Sequence, residues 1–174
     1  MGALSSDKIW ALIDYLKAHN AGYGMRTSGR WDHPISLPQF NAVCADGTTD
    51  LDDLRSRVVH VIAATRTVVP PPSPAGISVA TVVLTRDQKV KPAGSACVTV
   101  EPTTWDAFAI LMGAPSDALA GFQALADQNG WLRRRWRPGD TPSWTDPQVL
   151  DAAIRRLAAH PLAIGVGGGH AHHH

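Results

Sequence analysis

Apolar and polar positions alternate along the chain in a way that predicts helices separated by strands. Behind a pair of serines that can cap a helix, apolar residues recur at helical spacing at Ile9, Leu12, Ile13 and Leu16. Asn20 and Gly22 then provide a stop signal. The pattern predicts one amphipathic helix over residues 6–19, followed by a linker or arm over residues 22–36.

Strand patterns fill the middle of the chain and lie at residues 39–45, 58–64, 77–85 and 96–100. The two longest runs are almost continuously apolar, which is typical of central strands covered on both faces. Asp46-Gly47 is a turn signal after the first pattern. Residues 65–76 carry four prolines in five positions, which exclude a helix and a central strand there, so we expect a stiff loop.

The last third of the chain predicts a helix, a hairpin and a second helix. A helical pattern covers residues 102–112, a hairpin covers residues 122–136 around an Asn129-Gly130 turn, and a last helix begins at Asp146-Pro147. Taken with the earlier strands, this order predicts an α/β fold with a mixed sheet that is parallel inside and antiparallel at the hairpin.

Composition narrows the possible classes of function. The chain has 174 residues, 44% hydrophobic and 18% charged, with a formal net charge of +1. This charge gives no reason to expect binding to nucleic acid or to an anionic membrane surface. The longest apolar run is far shorter than the roughly 20 residues of a membrane-spanning helix, and no signal-peptide pattern is visible.

The segment from Leu37 to His160 resembles the redoxin branch of the thioredoxin-like family. The resemblance rests on short motifs, namely Leu37-Pro38-Gln39-Phe40, Asp46-Gly47, Leu51 through Arg55, Arg57-Val58-Val59, and Leu125 through Gly139. It implies a three-layer thioredoxin-like fold over residues 37–162, with a mixed central sheet and with the first helix and its arm added in front.

Two departures from that family bear on activity. Its C-x-x-C motif follows the first central strand and opens a helix, whereas Thr65-Arg66-Thr67 and a proline run stand at the matching position. Its cis-proline should lie near Ala120 or Gly121, and neither is proline. Because a thiolate is the nucleophile of disulfide exchange, we expect neither disulfide oxidoreductase nor peroxidase activity.

The first helix carries a second resemblance. Residues 4–17 resemble the C-terminal helix of a bacterial class I cytochrome c, although the chain has no C-x-x-C-H motif. The resemblance implies a cytochrome c domain ahead of this chain, haem c in that domain and none here, and a periplasmic location. The expected organisation is then a cytochrome-like helix at 1–21, an arm at 22–36, a degenerate thioredoxin-like domain at 37–162 and a tail at 163–174. The alternative is an ordinary amphipathic helix that packs on the body.

Cys44 and Cys97 lie far apart in the sequence and outside any metal-ligand spacing. They can be two buried small apolar residues, or one disulfide in an oxidising compartment. A residual redox activity through a single thiol is a further hypothesis.

Four histidines close the chain, at His170, His172, His173 and His174. Imidazole suits Cu, Ni and Zn, so the tail is a candidate metal site, most plausibly for copper or zinc. The alternative is an added tail without a native role. His60, within the first central strand, is interpreted as a core residue.

A cluster of arginines and tryptophans marks the second strand of the hairpin. Strand alternation would put Trp131, Arg133 and Arg135 on one face, either as a solvated edge or as a docking surface for an acidic partner such as the cytochrome domain. The sequence thus predicts a non-catalytic accessory module of a periplasmic cytochrome c fusion that docks or supports electron transfer. Metal binding by the tail and single-thiol redox activity are the alternatives.

Overall fold

The computed structural model describes residues 5–163, apart from residues 30, 32, 46 and 55. Three α-helices form within this part of the chain, α1 (Ser6–Ser28), α2 (Pro102–Met112) and α3 (Pro147–Ala159). Eight strands accompany them, β1 (Ile35–Ser36), β2 (Asn41–Cys44), β3 (Gly47–Asp50), β4 (Val58–Ala63), β5 (Val79–Leu84), β6 (Ala96–Thr99), β7 (Gln123–Ala126) and β8 (Trp131–Trp136).

All eight strands join one mixed sheet in the order β1-β8-β7-β4-β5-β6-β2-β3. The β4–β5 and β5–β6 pairs are parallel, and β7 and β8 form an antiparallel hairpin beside β4. The predicted α/β plan, parallel inside and antiparallel at the hairpin, is therefore confirmed. The short strands β1 and β3, which form the two edges of the sheet, are additions to the prediction.

The two faces of the sheet are covered by different helices. Every residue of β4 is buried, as the continuous apolar pattern of a central strand predicts. On one face, Phe108 and Met112 of α2 join the largest apolar cluster, which also contains Val59 and Val61. On the other face, α3 packs against Val58 and Leu125 through a stripe at Leu150, Ala153, Ile154 and Leu157. Asp146 caps α3 by accepting a hydrogen bond from the backbone N–H of Gln148.

The helix α1 is longer than its sequence pattern predicts. It continues through Gly22 to Ser28, and Gly29, with φ of 73°, ends it. The predicted end near residue 20 and the predicted start of the arm at residue 22 are therefore wrong. The reason is packing against α2, because a Cβ at Gly22 would collide with the backbone oxygen of Ile110. Glycine lowers helix propensity, but here it permits a contact between two helices that no larger residue allows.

The apolar stripe of α1 faces away from the body. Its buried side consists of Gly22, Gly24 and Met25, whereas the predicted stripe stays half-exposed, with Ile9 at 44%, Leu12 at 50% and Leu16 at 52%. The helix therefore attaches through its C-terminal half, around Gly22, Gly24 and Met25, and leaves Ile9, Leu12 and Leu16 half-exposed. None of the helices in the described part of the chain combines the length and apolar character needed to cross a bilayer.

Candidate functional site

The exit of β4 is the position at which the sequence resemblance places a thiol active site. The strand ends at Ala63, and Thr65, Arg66 and Thr67 follow as exposed residues. No helix forms between β4 and β5, so the proline run links the two strands as the sequence predicts. Val68 packs against an apolar cluster on the α3 face of the sheet, whereas Val69 is 77% exposed. The segment that follows β4 therefore presents hydroxyl and guanidinium groups to solvent, but no sulfur atom.

The segment before β7 also differs from the expected active-site loop. Gly121 has φ of 89°, and its backbone N–H donates to the oxygen of Ala63 at 2.7 Å. Within the described residues, the cis peptide bond lies elsewhere, between Thr141 and Pro142. A glycine with a positive φ thus occupies the place where the resemblance would put a cis-proline, beside the end of β4.

A buried histidine lies on the α3 face of the sheet, three residues before β4 ends. His60 is fully buried, its Nε2 lies 2.6 Å from Oε1 of Gln123, and its ring meets that of Trp144 edge-on at 6.4 Å. Neither Nδ1 of His60 nor Nε2 of Gln123 has a hydrogen-bond partner among the described residues. Burial lowers the pKa of His60 to about 4, although the hydrogen bond to Gln123 acts in the opposite direction. His60 is therefore a neutral core residue at physiological pH, as its sequence context indicates.

The two cysteines form a disulfide between neighbouring strands. Cys44 ends β2 and Cys97 lies on β6, and the pairing of Val43 with Val98 places the two cysteines directly opposite each other. Cys97 is buried in the main apolar cluster and Cys44 packs against it. The interpretation as two unpaired apolar residues is therefore wrong. The single-thiol hypothesis is not supported either, because no cysteine of this chain is free.

The arginines of β8 do not share one face. A bulge in the β7–β8 pairing breaks the alternation, since Leu125 pairs with Arg134 but Ala126 pairs with Leu132. Arg133 therefore reaches past the end of α3 and donates to Oδ2 of Asp127 and to the oxygen of His160.

Arg135 turns toward the opposite helix and donates to the oxygen of Met112, the last residue of α2. Burial, and next the charge of Arg137, lower the pKa of Arg135. Trp131 lies half-buried beside the edge strand β1. The prediction of a single face for Trp131, Arg133 and Arg135 is thus wrong, because one extra residue in β8 changes which side each following side chain takes.

Asp127 holds several segments together through its side-chain hydrogen bonds, a role that the sequence motifs alone do not reveal. Its carboxylate is fully buried and accepts hydrogen bonds from the backbone N–H groups of Asn129, Trp131 and Leu162, in addition to Arg133. It thereby fixes the Asn-Gly turn of the hairpin and ties it to the segment after α3. The signal that could have identified it is an aspartate two residues before Asn-Gly, which favours a side-chain-bonded turn.

The histidines of the tail, His170, His172, His173 and His174, lie outside the described residues. Within the part of the chain that the structure describes, no group of three or more His, Cys, Asp or Glu side chains is placed to hold a metal ion. Metal binding by the tail stays a prediction from the sequence.

Comparison with known proteins informs the fold. No family model and no curated protein matches the chain. A solved thioredoxin-like superfamily protein is 18% identical, with 74% of this chain and 99% of that chain covered and a TM-score of 0.51. A second similar structure is that of ScoI of Bradyrhizobium japonicum with copper bound, which is 11% identical, with 71% of this chain and 100% of that chain covered and a TM-score of 0.46. A third is BsSco, a member of the Sco family of cytochrome c oxidase assembly proteins, which is 11% identical, with 72% of this chain and 95% of that chain covered and a TM-score of 0.49.

Proposed function

We propose, on the premise that this chain has a thioredoxin-like fold, that it is a non-catalytic accessory module which docks or supports a redox partner outside the cytoplasm. One observation carries the proposal. The exit of β4 has no thiol, and Cys44 and Cys97 are paired with each other on other strands.

The disulfide is also remote from the exit of β4. The strands β6 and β2 lie two and three positions away from β4 in the sheet. At a spacing of about 4.8 Å per strand, this separation is roughly 10–15 Å. Thiol–disulfide exchange proceeds by attack of a thiolate on a sulfur atom, and Thr65, Arg66 and Thr67 supply none. The position that would hold a nucleophile thus holds side chains that cannot perform this exchange.

A thiol–disulfide exchange assay tests the lack of catalysis. We expect no turnover of insulin disulfides by the wild-type chain in the presence of dithiothreitol, beyond the rate with dithiothreitol alone. The double variant Cys44→Ala, Cys97→Ala is the matched control and should give the same background rate. If the wild type showed turnover and the double variant did not, the result would contradict the proposal, because it would assign redox activity to this cysteine pair.

The partner that best fits the exposed side of α1 is a c-type cytochrome. Ile9, Leu12, Tyr15 and Leu16 are all half-exposed on this helix. The same residues carry the resemblance to a cytochrome c C-terminal helix, a helix that packs across its haem domain. We therefore propose that α1 contacts a class I cytochrome c domain, encoded ahead of this chain, in the periplasm. An apolar stripe of this kind is a common form of helix docking surface.

Two measurements test this partner. A C-x-x-C-H motif in frame in the DNA upstream of Met1 would support the fusion, and an in-frame stop codon directly upstream would contradict it. Titration of the chain with a bacterial class I cytochrome c should show binding that Leu12→Asp removes. Val69→Asp, a change at an exposed apolar residue away from α1, is the matched control and should leave binding intact.

A second proposal concerns the tail. We propose that the histidines at 170 and 172–174 bind copper or zinc, because four imidazoles within five residues can reach one ion. Calorimetric titration of Cu²⁺ and Zn²⁺ into the chain with and without residues 170–174 tests it. Equal affinities of the two forms would exclude a role of the tail.

A further inference from the structure

Two cavities lie on either side of the arm that follows α1. The larger has a volume of about 1020 Å³ and the smaller about 410 Å³, and His33 and Pro34 lie in the walls of both. The arm between them is held in place by Trp31, whose indole N–H donates to the oxygen of Leu111 at 2.9 Å. A ligand that extends past His33 would therefore contact both cavities, whose walls differ in chemistry.

Apolar side chains make up most of the wall of the larger cavity, and Lys17, His33 and Arg57 also line it. It lies between the C-terminal half of α1, the arm and the α2 face of the sheet, and its apolar side chains include Leu37, Leu51, Leu54, Val59 and Leu111. Asp127 also lines it, but three backbone N–H groups and Arg133 already satisfy this carboxylate. Its volume lies at the upper end of the range of small-molecule pockets, roughly 300–1000 Å³.

The smaller cavity has a cationic wall beside the part of β8 that follows its pairing with β1. Arg133, Arg134 and Arg135 all line it, together with Trp31 and His33. Asp127 balances the charge of Arg133.

Arg134 stacks over the ring of Trp136 at 4.7 Å, and Arg135 bonds to a backbone oxygen. Among the described residues, neither of these two arginines forms a salt bridge with a carboxylate. Arg134 and Arg135 leave β8 on opposite faces of the sheet, and both border the cavity along the side of the strand. The charge of Asp140 acts on Arg135, so Arg134 is the cation that an anion can balance. A stacked guanidinium keeps its N–H groups available in the ring plane, which suits a carboxylate or phosphate.

We infer that the two cavities together bind one amphipathic anion, with its acyl chain in the larger cavity and its carboxylate or phosphate head at Arg134. The apolar wall takes the chain out of water, and this arginine neutralises the head. The ligand class is therefore a straight-chain carboxylate or alkyl phosphate, and the inference stands apart from the proposed redox partner.

Binding of dodecanoate, dodecyl phosphate and dodecanol to the full chain, measured by calorimetry below their aggregation concentrations, tests the inference. We expect both anions to bind with a 1:1 stoichiometry and the alcohol to bind at least tenfold more weakly. From octanoate to dodecanoate, affinity should rise about fourfold for each added methylene group, because each is removed from water. Equal binding of the alcohol and the anions, or no binding of any probe, would overturn the inference.

Variants locate the two ends of the ligand. Arg134→Gln should weaken dodecanoate about tenfold, as expected for the loss of one charge-assisted contact, whereas Arg155→Gln on α3 should not change it. Loss of affinity in Arg57→Gln but not in Arg134→Gln would place the head at the other end of the cleft and contradict the assignment.

Ala107→Phe narrows the larger cavity and should abolish the dependence on chain length. Ala152→Phe, on the exposed side of α3, is its matched control. Unchanged binding in both phenylalanine variants would exclude the larger cavity as the site of the chain.

Discussion

The imidazole of His60 and the amide of Gln123 face each other across β4 and β7, with Nε2 and Oε1 2.6 Å apart in the core of the protein. The amide oxygen can only accept a hydrogen bond, so Nε2 of the histidine carries the hydrogen. Nδ1 is then a buried acceptor without a partner among the described residues. This arrangement keeps His60 neutral and links the stability of the fold to pH.

Because burial lowers the pKa of His60 from 6.5 to about 4, the unfolded chain binds a proton more readily than the folded chain. The contribution of His60 to stability is therefore fully present above pH 6.5 and is lost as the pH falls to about 4. The loss amounts to about 3 kcal/mol. Urea denaturation at several pH values should show this slope in the wild type and a weaker slope in His60→Gln. His19→Gln, an exposed control, should keep the wild-type slope, and an unchanged slope in His60→Gln would contradict the assignment.

The disulfide should contribute strongly to stability. It closes a loop between residues separated by 53 positions and joins the β2–β3 hairpin to β6. Loop-closure entropy predicts that Cys44→Ala, Cys97→Ala lowers the free energy of unfolding by about 4 kcal/mol. The midpoint of urea denaturation measures the effect. Addition of dithiothreitol should shift the wild-type midpoint toward that of the variant, which itself should not respond to the reductant.

Contact between α1 and α2 should depend on Gly22. An added methyl group would meet the backbone oxygen of Ile110, so Gly22→Ala must move one helix away from the other. We expect a loss of about 1–3 kcal/mol in the free energy of unfolding, despite the higher helix propensity of alanine. Asn20→Ala, at an exposed position two residues earlier, should be neutral or stabilising in the same thermal melts. A stabilised Gly22→Ala variant would show that the close approach does not exist in solution.

Removal of the buried carboxylate of Asp127 should be far more costly than removal of an exposed one. Asp127→Ala leaves Arg133 and three backbone N–H groups without their acceptor, and we expect a loss of about 3–5 kcal/mol. Asp151→Ala breaks the exposed pair with Arg155 and should cost about 0–1 kcal/mol. Chemical denaturation of the two variants gives the comparison, and similar losses in both would contradict the central role of Asp127.

Much of the fold follows from local patterns, because continuous apolar runs such as that of β4, rich in β-branched residues, are typical of central strands covered on both faces. The length of α1 cannot be predicted from local patterns. Gly22 alone indicates the end of a helix, and only its packing against α2 explains why α1 continues through it. The pairing of Cys44 with Cys97 depends on the register between β2 and β6, which lie far apart in the sequence. The cleft beneath α1 depends in turn on the path of the arm, which carries no periodic pattern.

The bulge in β8 also has a consequence for how the sequence of this strand can change over time. Leu132 packs on the α2 face of the sheet and Trp136 on the α3 face, although they are four positions apart and this even spacing would put them on the same side of a regular strand. Deletion or insertion of one residue between them would move the rest of β8, including Trp136, to the opposite face of the sheet. Natural relatives should therefore show substitutions in this strand, but no single-residue gaps.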